Sequence, residues 1–205
     1  MPKATFFNLS PAKREAIEKE AIREFAEKPF ERASLSKIVE NCGIAKGSMY
    51  QYFEDKLDLY LYIVELAYAE KRKYVRQAFE IEGDIFEVLR AYYRQSLRFS
   101  QEHPNLHKVT CNFWESRAQH LHETIGEVRG ERASDFESFL SKAITSGVVN
   151  SDLNPEAVFF VYHAVGKQLI DQFGETVDDE FLCQVLDVLK YGLKVRKGDA
   201  PCESN

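Results

Sequence analysis

The feature that most constrains this chain is a pair of short amphipathic segments separated by a tight glycine turn. In the first, Leu35, Ile38, Val39 and Cys42 fall at i, i+3, i+4 and i+7, one face of a short helix. Ser34 stands at its start and Gly43 just past its end, where a left-handed cap is easy. The second segment, Ala45 to Phe53, follows after a turn of about three residues. Two short helices joined in this way predict a helix-turn-helix. A longer helix precedes them. Ser10 can cap it, Pro11 suits its first position, and Ala12, Ala16, Ile17, Ala21, Ile22, Phe25 and Ala26 form its stripe. Pro29 ends it, because the residue before a proline avoids the α region.

The second short helix has an apolar set, Ile44, Met49 and Phe53, and a second face. Lys46, Gly47, Ser48, Tyr50 and Gln51 lie largely outside the apolar set. Gly47 lets a backbone approach DNA closely. Lys46, Ser48 and Gln51 can reach base edges or phosphates, and Tyr50 and Tyr52 can donate to phosphate oxygens. Geometry alone leaves the ordinary alternative open, since any all-α protein holds short helices joined by glycine turns.

The local sequence goes further. The stretch ASLSKIVENCGIAKGSMYQYFEDKLDLY resembles the DNA-binding signature of the TetR family of regulators. In that signature a Ser or Thr opens the second helix, a Gly ends it, and K-G-[ST]-x-Y-x-[YH]-F forms the recognition helix. A further helix then opens with an acidic or small residue and Lys. Ser34, Gly43, Lys46, Gly47, Ser48, Tyr50, Tyr52, Phe53 and Lys56 stand at those positions, within a resemblance covering roughly residues 12 to 65. It implies that Ser34, Tyr50, Tyr52 and Lys56 touch phosphates while Lys46, Gly47, Ser48 and Gln51 face the major groove. Ala45 departs from the pattern by standing where the family places a Ser or Thr cap. Loss of such a cap costs about 0.5 to 2 kcal/mol, so this helix is expected to fray when free and to order on DNA.

Beyond Lys56 the pattern remains helical. A long helix is expected to about Ile81, and Gly83–Asp84 start another to about Gln101. After His103–Pro104 comes an aromatic-rich segment from Asn105 to His120. Another helix ends near Ser146, with Phe136, Phe139, Leu140 and Ile144 as its core side. Asn154–Pro155 opens the next, to Phe173, and the last runs from Glu180 to about Val195. The expected fold is therefore all-α. A three-helix DNA-binding domain over residues 1–55 precedes a body of about six helices over residues 56–196, and residues 197–205 form a polar, disordered tail. The last two helices carry more apolar surface than a small domain buries alone. By the resemblance, residues 155–195 pair two copies into a homodimer, whose two recognition helices would read a palindrome. A body of this kind also implies a small-molecule effector pocket. Tyr93, Phe113, Trp114, Phe139 and His163 are its candidate lining residues, each otherwise an ordinary core side chain. Arg94 or Arg117 offers a partner for an acidic headgroup, with surface solvation the alternative. An aromatic lining suits an apolar or amphipathic ligand.

Charge and composition narrow the classes. Net charge is -6, yet residues 1–60 hold ten basic and ten acidic residues, so the acidic excess lies wholly in the body. A neutral head binds DNA weakly by itself, and pairing of two heads must supply the rest. No apolar run approaches the ~18 residues of a membrane span, and the opening residues lack a signal-peptide core. Cys42, Cys111, Cys183 and Cys202 are scattered, which fits a reducing cytoplasm; the first three read as small core residues and Cys202 as a tail thiol. There is no G-x-S-x-G, H-E-x-x-H or P-loop, Pro104 lies between His103 and His107, and His120 and His122 point apart on a helix. Neither a metal, a cofactor nor catalysis is therefore expected. The alternatives are a DNA-binding protein of the same fold that takes no ligand and, more weakly, an all-α enzyme. The expected mechanism is a population shift: an effector favours one state of the body, moves the long helix from Lys56, and changes the separation of the two heads.

Overall fold

A computed structural model of the chain describes residues 2–81, 84–115, 140–173 and 178–193. All regular structure among them is helical. The order is α1 (Ala4–Phe7), α2 (Pro11–Glu27), α3 (Leu35–Asn41), α4 (Lys46–Tyr52), α5 (Lys56–Val75), α6 (Ile85–Glu102), α7 (Pro104–Glu115), α8 (Pro155–Phe173) and α9 (Asp179–Leu193). Residues 140–145 are helical as well. None of the described helices is long and apolar enough to cross a membrane. Phe136, Phe139, Arg117, His120, His122, Cys202 and the 197–205 tail lie outside the described residues.

Two compact units divide these elements. The first holds α1 to α5, the end of α6 from Ser96, and α7. Its core is a continuous set of buried side chains that includes Ile17, Ala21 and Phe25 of α2, Ile38 and Val39 of α3, and Met49 of α4. Leu59, Tyr60, Ile63 and Val64 of α5 and Val109 and Phe113 of α7 complete it. Asn112 of α7 donates its amide to the carbonyls of Phe25 (2.8 Å) and Ala26 (3.2 Å), which pins α7 to the last turn of α2. The helix-turn-helix is thus one part of a larger packed body, in which α5 and α7 supply a wall for α2.

The second unit contains the first part of α6, residues 140–149, α8 and α9. Ile85, Phe86, Leu89, Tyr93, Leu140, Ala143, Val158, Tyr162, Leu169, Leu182 and Leu186 form its core. Start and stop signals are spelled out in side chains here. Asp84 accepts from the Phe86 and Glu87 amides while Glu87 accepts from the Asp84 amide (3.0 Å), a reciprocal capping box. Asn154 and Asp178 cap α8 and α9. Gly147 has φ +73° and closes the helix at 140–145, its amide donating to Ile144 O and that of Val148 to Ala143 O.

Three boundaries differ from expectation. The α-helix from Lys56 ends at Val75, and residues Arg76–Glu80 tighten into a 3-10 turn that buries Ala78. Ser10 occupies the cap position of α2 without a side-chain bond; its backbone carbonyl alone accepts, from Lys13 and Arg14. Before it lies α1, four residues too short to show a period, with Phe6 fully buried.

Candidate nucleic-acid interface

The turn between α3 and α4 is built as its residues dictate. Ser34 Oγ accepts from the Lys37 amide at 3.3 Å and caps α3. Gly43 sits at φ +64°, a conformation that L side chains rarely adopt. Its amide and that of Ile44 return to Glu40 O and Val39 O, which closes α3 and sets the direction of α4. Met49 of α4 and Phe53 just beyond it are buried at 0% and 1% exposure, whereas Lys46, Gly47, Tyr50 and Gln51 are exposed and Ser48 and Tyr52 half-buried. One side of α4 is therefore fixed to the core and the other faces solvent. Ala45 makes no side-chain cap to α4.

Ser34 and Lys56, expected on phosphates, hold places in the scaffold. Since the Ser34 oxygen accepts from Lys37 N, its O–H proton remains to donate outward. The Lys56 ammonium turns inward. It donates to the carbonyls of Phe30 (2.7 Å) and Ala33 (3.1 Å) and lies 4.3 Å from the Phe30 ring centroid. It closes the α2–α3 loop, and two of its three donors are spent there. Asp55 caps the same helix by accepting from the Asp58 amide, and Asp58 accepts from the Glu54 amide.

Sequence reasoning missed Glu24. Its side chain is buried, yet it binds the Lys28 ammonium (2.7 Å) and the Ser34 amide (2.9 Å), with the Lys37 ammonium at 3.5 Å. Burial alone raises a carboxyl, but the Lys28 and Ser34 hydrogen bonds and the charges of Lys28 and Lys37 outweigh it and hold this one below its ordinary value. Glu24 thereby ties α2 to the start of α3. A signal for it existed: Ile17, Ala21 and Glu24 fall at i, i+4 and i+7, a carboxylate in an apolar stripe. Cys42 donates its thiol to Ala16 O at 3.6 Å, and burial pushes that thiol up, which makes it a poor nucleophile.

The candidate effector residues fall into separate units. Phe113 is fully buried in the first, edge-on to Tyr68 and to the half-buried Trp114. Tyr93 is buried in the second, stacked on Tyr162 at 4.6 Å with its hydroxyl donating to Tyr162 O at 2.8 Å; His163 is half-buried in α8. Phe139 lies outside the described residues. Tyr93 is thus a packed core side chain, and Gly166 is small because of it. A Cβ at Gly166 would lie 2.6 Å from Tyr93 Cε1. The ring is held by its stack and its hydrogen bond, so Gly166→Ala is expected to destabilise the protein by about 1 to 3 kcal/mol, despite alanine's better helix propensity. Thermal unfolding of the two proteins checks this; an unchanged or raised midpoint would mean that the ring yields freely.

A helix-turn-helix with one face of its second helix turned to solvent is the arrangement used by helix-turn-helix DNA-binding proteins. Comparison with known proteins carries this to a family. Residues 17–63 match the sequence model described as bacterial regulatory proteins of the tetR family. An HTH-type transcriptional regulator of Staphylococcus aureus is 28% identical over 96 residues, 45% of this chain and 50% of that protein. The match thus spans about half the length of that curated relative. The crystal structure of a TetR family transcriptional regulator from Chloroflexus aurantiacus superposes with a TM-score of 0.76 at 29% identity, covering 96% of this chain and 100% of that one. The fatty acid degradation regulator FadR of Bacillus halodurans has the same fold at 20% identity, with a TM-score of 0.69 over 92% of this chain and 99% of its own. Residues 17–63 thus carry the DNA-binding segment of the tetR family, and the chain is similar along nearly its whole length to a TetR family transcriptional regulator.

Proposed function

We propose that the chain is a homodimeric, ligand-responsive repressor that reads a palindromic operator through α4 and is released from it by a small apolar or amphipathic effector. The observation that carries the DNA-binding half is the division of α4 into a buried side, Met49 and the adjoining Phe53, and an exposed side, Lys46, Gly47, Tyr50 and Gln51. Residues 1–55 recognise DNA; residues 56–196 bind effector and partner. Ser48 and Gln51 meet base edges, while Ser34, Tyr50 and Tyr52 donate hydroxyls to phosphates. Lys46 supplies charge, and Lys56 contributes mainly by holding the α2–α3 loop.

Pairing through residues 155–195 is supported by what α8 and α9 leave uncovered. Phe160 is 71% exposed, Val188 74% and Tyr191 67%, and Val161 and Phe181 accompany them. Phe160, Val161 and Ala164 share one face of α8; Phe181, Val188 and Tyr191 share one of α9. Such faces suit the apolar centre of a two-fold interface. A second copy of the chain covers them, and a monomer in sedimentation at micromolar concentration would overturn this part.

An effector that prefers the state with misplaced heads shifts the population away from DNA, whereas equal affinity for both states would do nothing. Selection of bound DNA from a random pool tests the whole reading. A palindrome with half-sites about 10 base pairs apart, centre to centre, is expected. Failure to enrich any sequence would sink the proposal. On the selected site Tyr50→Phe, at a residue 46% exposed, removes one phosphate donor. Affinity should fall about 3- to 10-fold with the unfolding midpoint unmoved, and unchanged binding would remove Tyr50 from the interface.

A further inference from the structure

The far end of α4 is held by a segment that the resemblance does not include. The Lys3 amide donates to Tyr52 O at 2.8 Å, the Lys3 ammonium to Tyr50 O at 3.0 Å, and the Thr5 hydroxyl to Gln51 O. These are three consecutive carbonyls of the last turn of α4, groups with no partner inside the helix. Phe6 anchors the segment. It is fully buried, with its ring 4.9 Å from that of Phe53 and 5.3 Å from that of Tyr62, centroid to centroid. Lys3 also pairs with Glu54 at 2.9 Å, so its charge is answered within the protein. At the opposite end of α4, Ala45 offers no side-chain cap. The recognition helix is therefore capped from elsewhere in the sequence, by the Lys3 amide and the Lys3 and Thr5 side chains, at its C-terminal end beside the residues that face outward.

We propose that Lys3 and Thr5 are positioning residues for DNA recognition, which hold the last turn of α4 so that Tyr50 and Gln51 meet the operator in register. They act through α4 and touch no base. The three bonds converge on the backbone of residues 50 to 52, so their loss frees that turn while Met49 and Phe53 keep the helix docked. Base readout needs side chains held to a fraction of an ångström, whereas phosphate attraction tolerates a loose turn. Selectivity should thus suffer more than affinity for arbitrary DNA.

This inference rests on the proposed DNA-binding role, and the experiment separates the two. Thr5→Val keeps the shape and removes the hydroxyl; Thr5→Ser restores it. Both leave Phe6 in place, and Thr5 is exposed, so the full chain should fold, with the unfolding midpoint of Thr5→Val lowered slightly and that of Thr5→Ser unmoved. In free protein, hydrogen exchange at the amides of residues 50–53 should quicken about 3- to 10-fold in Thr5→Val and return to normal in Thr5→Ser. On DNA, Thr5→Val and Lys3→Met should each lose about 3- to 10-fold in affinity for the selected operator, with affinity for a scrambled duplex unchanged. Exchange in α4 equal to wild type would overturn the proposal, as would equal losses on operator and scrambled DNA, which would make Lys3 a phosphate contact. If the wild type selects no sequence, the functional reading fails, and the exchange measurement alone still decides whether the segment holds α4.

Discussion

A Gly47→Leu variant is expected to fold like the wild type and to lose about 100-fold or more in operator affinity. A Cβ built at Gly47 meets nothing within 4 Å, so the leucine has room inside the protein's own envelope. Leaving a helical glycine gains up to about 1 kcal/mol of helix propensity, and the unfolding midpoint should hold or rise. Bound to DNA, the same side chain stands where the helix must approach the groove. It pushes α4 off the bases, and loss of two base contacts at about 1 to 3 kcal/mol each accounts for the factor of 100. Thermal unfolding and fluorescence anisotropy on the selected duplex measure the two halves. Operator binding at the wild-type level would mean that α4 does not enter the groove by this face.

Phe6→Ala should have the largest effect on stability. Its ring is wholly buried against Phe53 and Tyr62, and truncation of a buried phenylalanine costs about 3 to 5 kcal/mol. Phe7, next in sequence, is 53% exposed, and Phe7→Ala should cost within about 0.5 kcal/mol. Urea unfolding of the pair measures the contrast. Equal costs would show that α1 adds nothing to the core.

These two residues also mark how far sequence reading reached. Gly47 was legible because a helix of seven residues between a glycine turn and a phenylalanine shows its buried and open faces in the residue types themselves. The limits of α2, α3 and α4 followed from Pro11, Pro29, Ser34 and Gly43, each of which acts within its own few residues. Phe6 was not legible. Its helix is a single turn, and its burial depends on Phe53 and Tyr62, far along the chain. Lys56 shows a different limit. The motif places a cation there, but its direction is decided by the carbonyls of Phe30 and Ala33, which no pattern displays. Tyr93 was read as a possible lining residue because aromatics serve cores and pockets alike. Its stack on Tyr162 and its fit against Gly166 settle its packing only in three dimensions.

Around the recognition helix, positive charge is largely answered from within. Lys3 meets Glu54, Lys28 and Lys37 meet Glu24, and Lys56 meets two carbonyls. A head built this way has fewer cations to displace the ions condensed on a duplex than its ten basic residues suggest, which gives hydroxyl donors a larger share in any grip on phosphates. Its hold on DNA should accordingly fall less steeply with ionic strength than the count of its basic residues predicts.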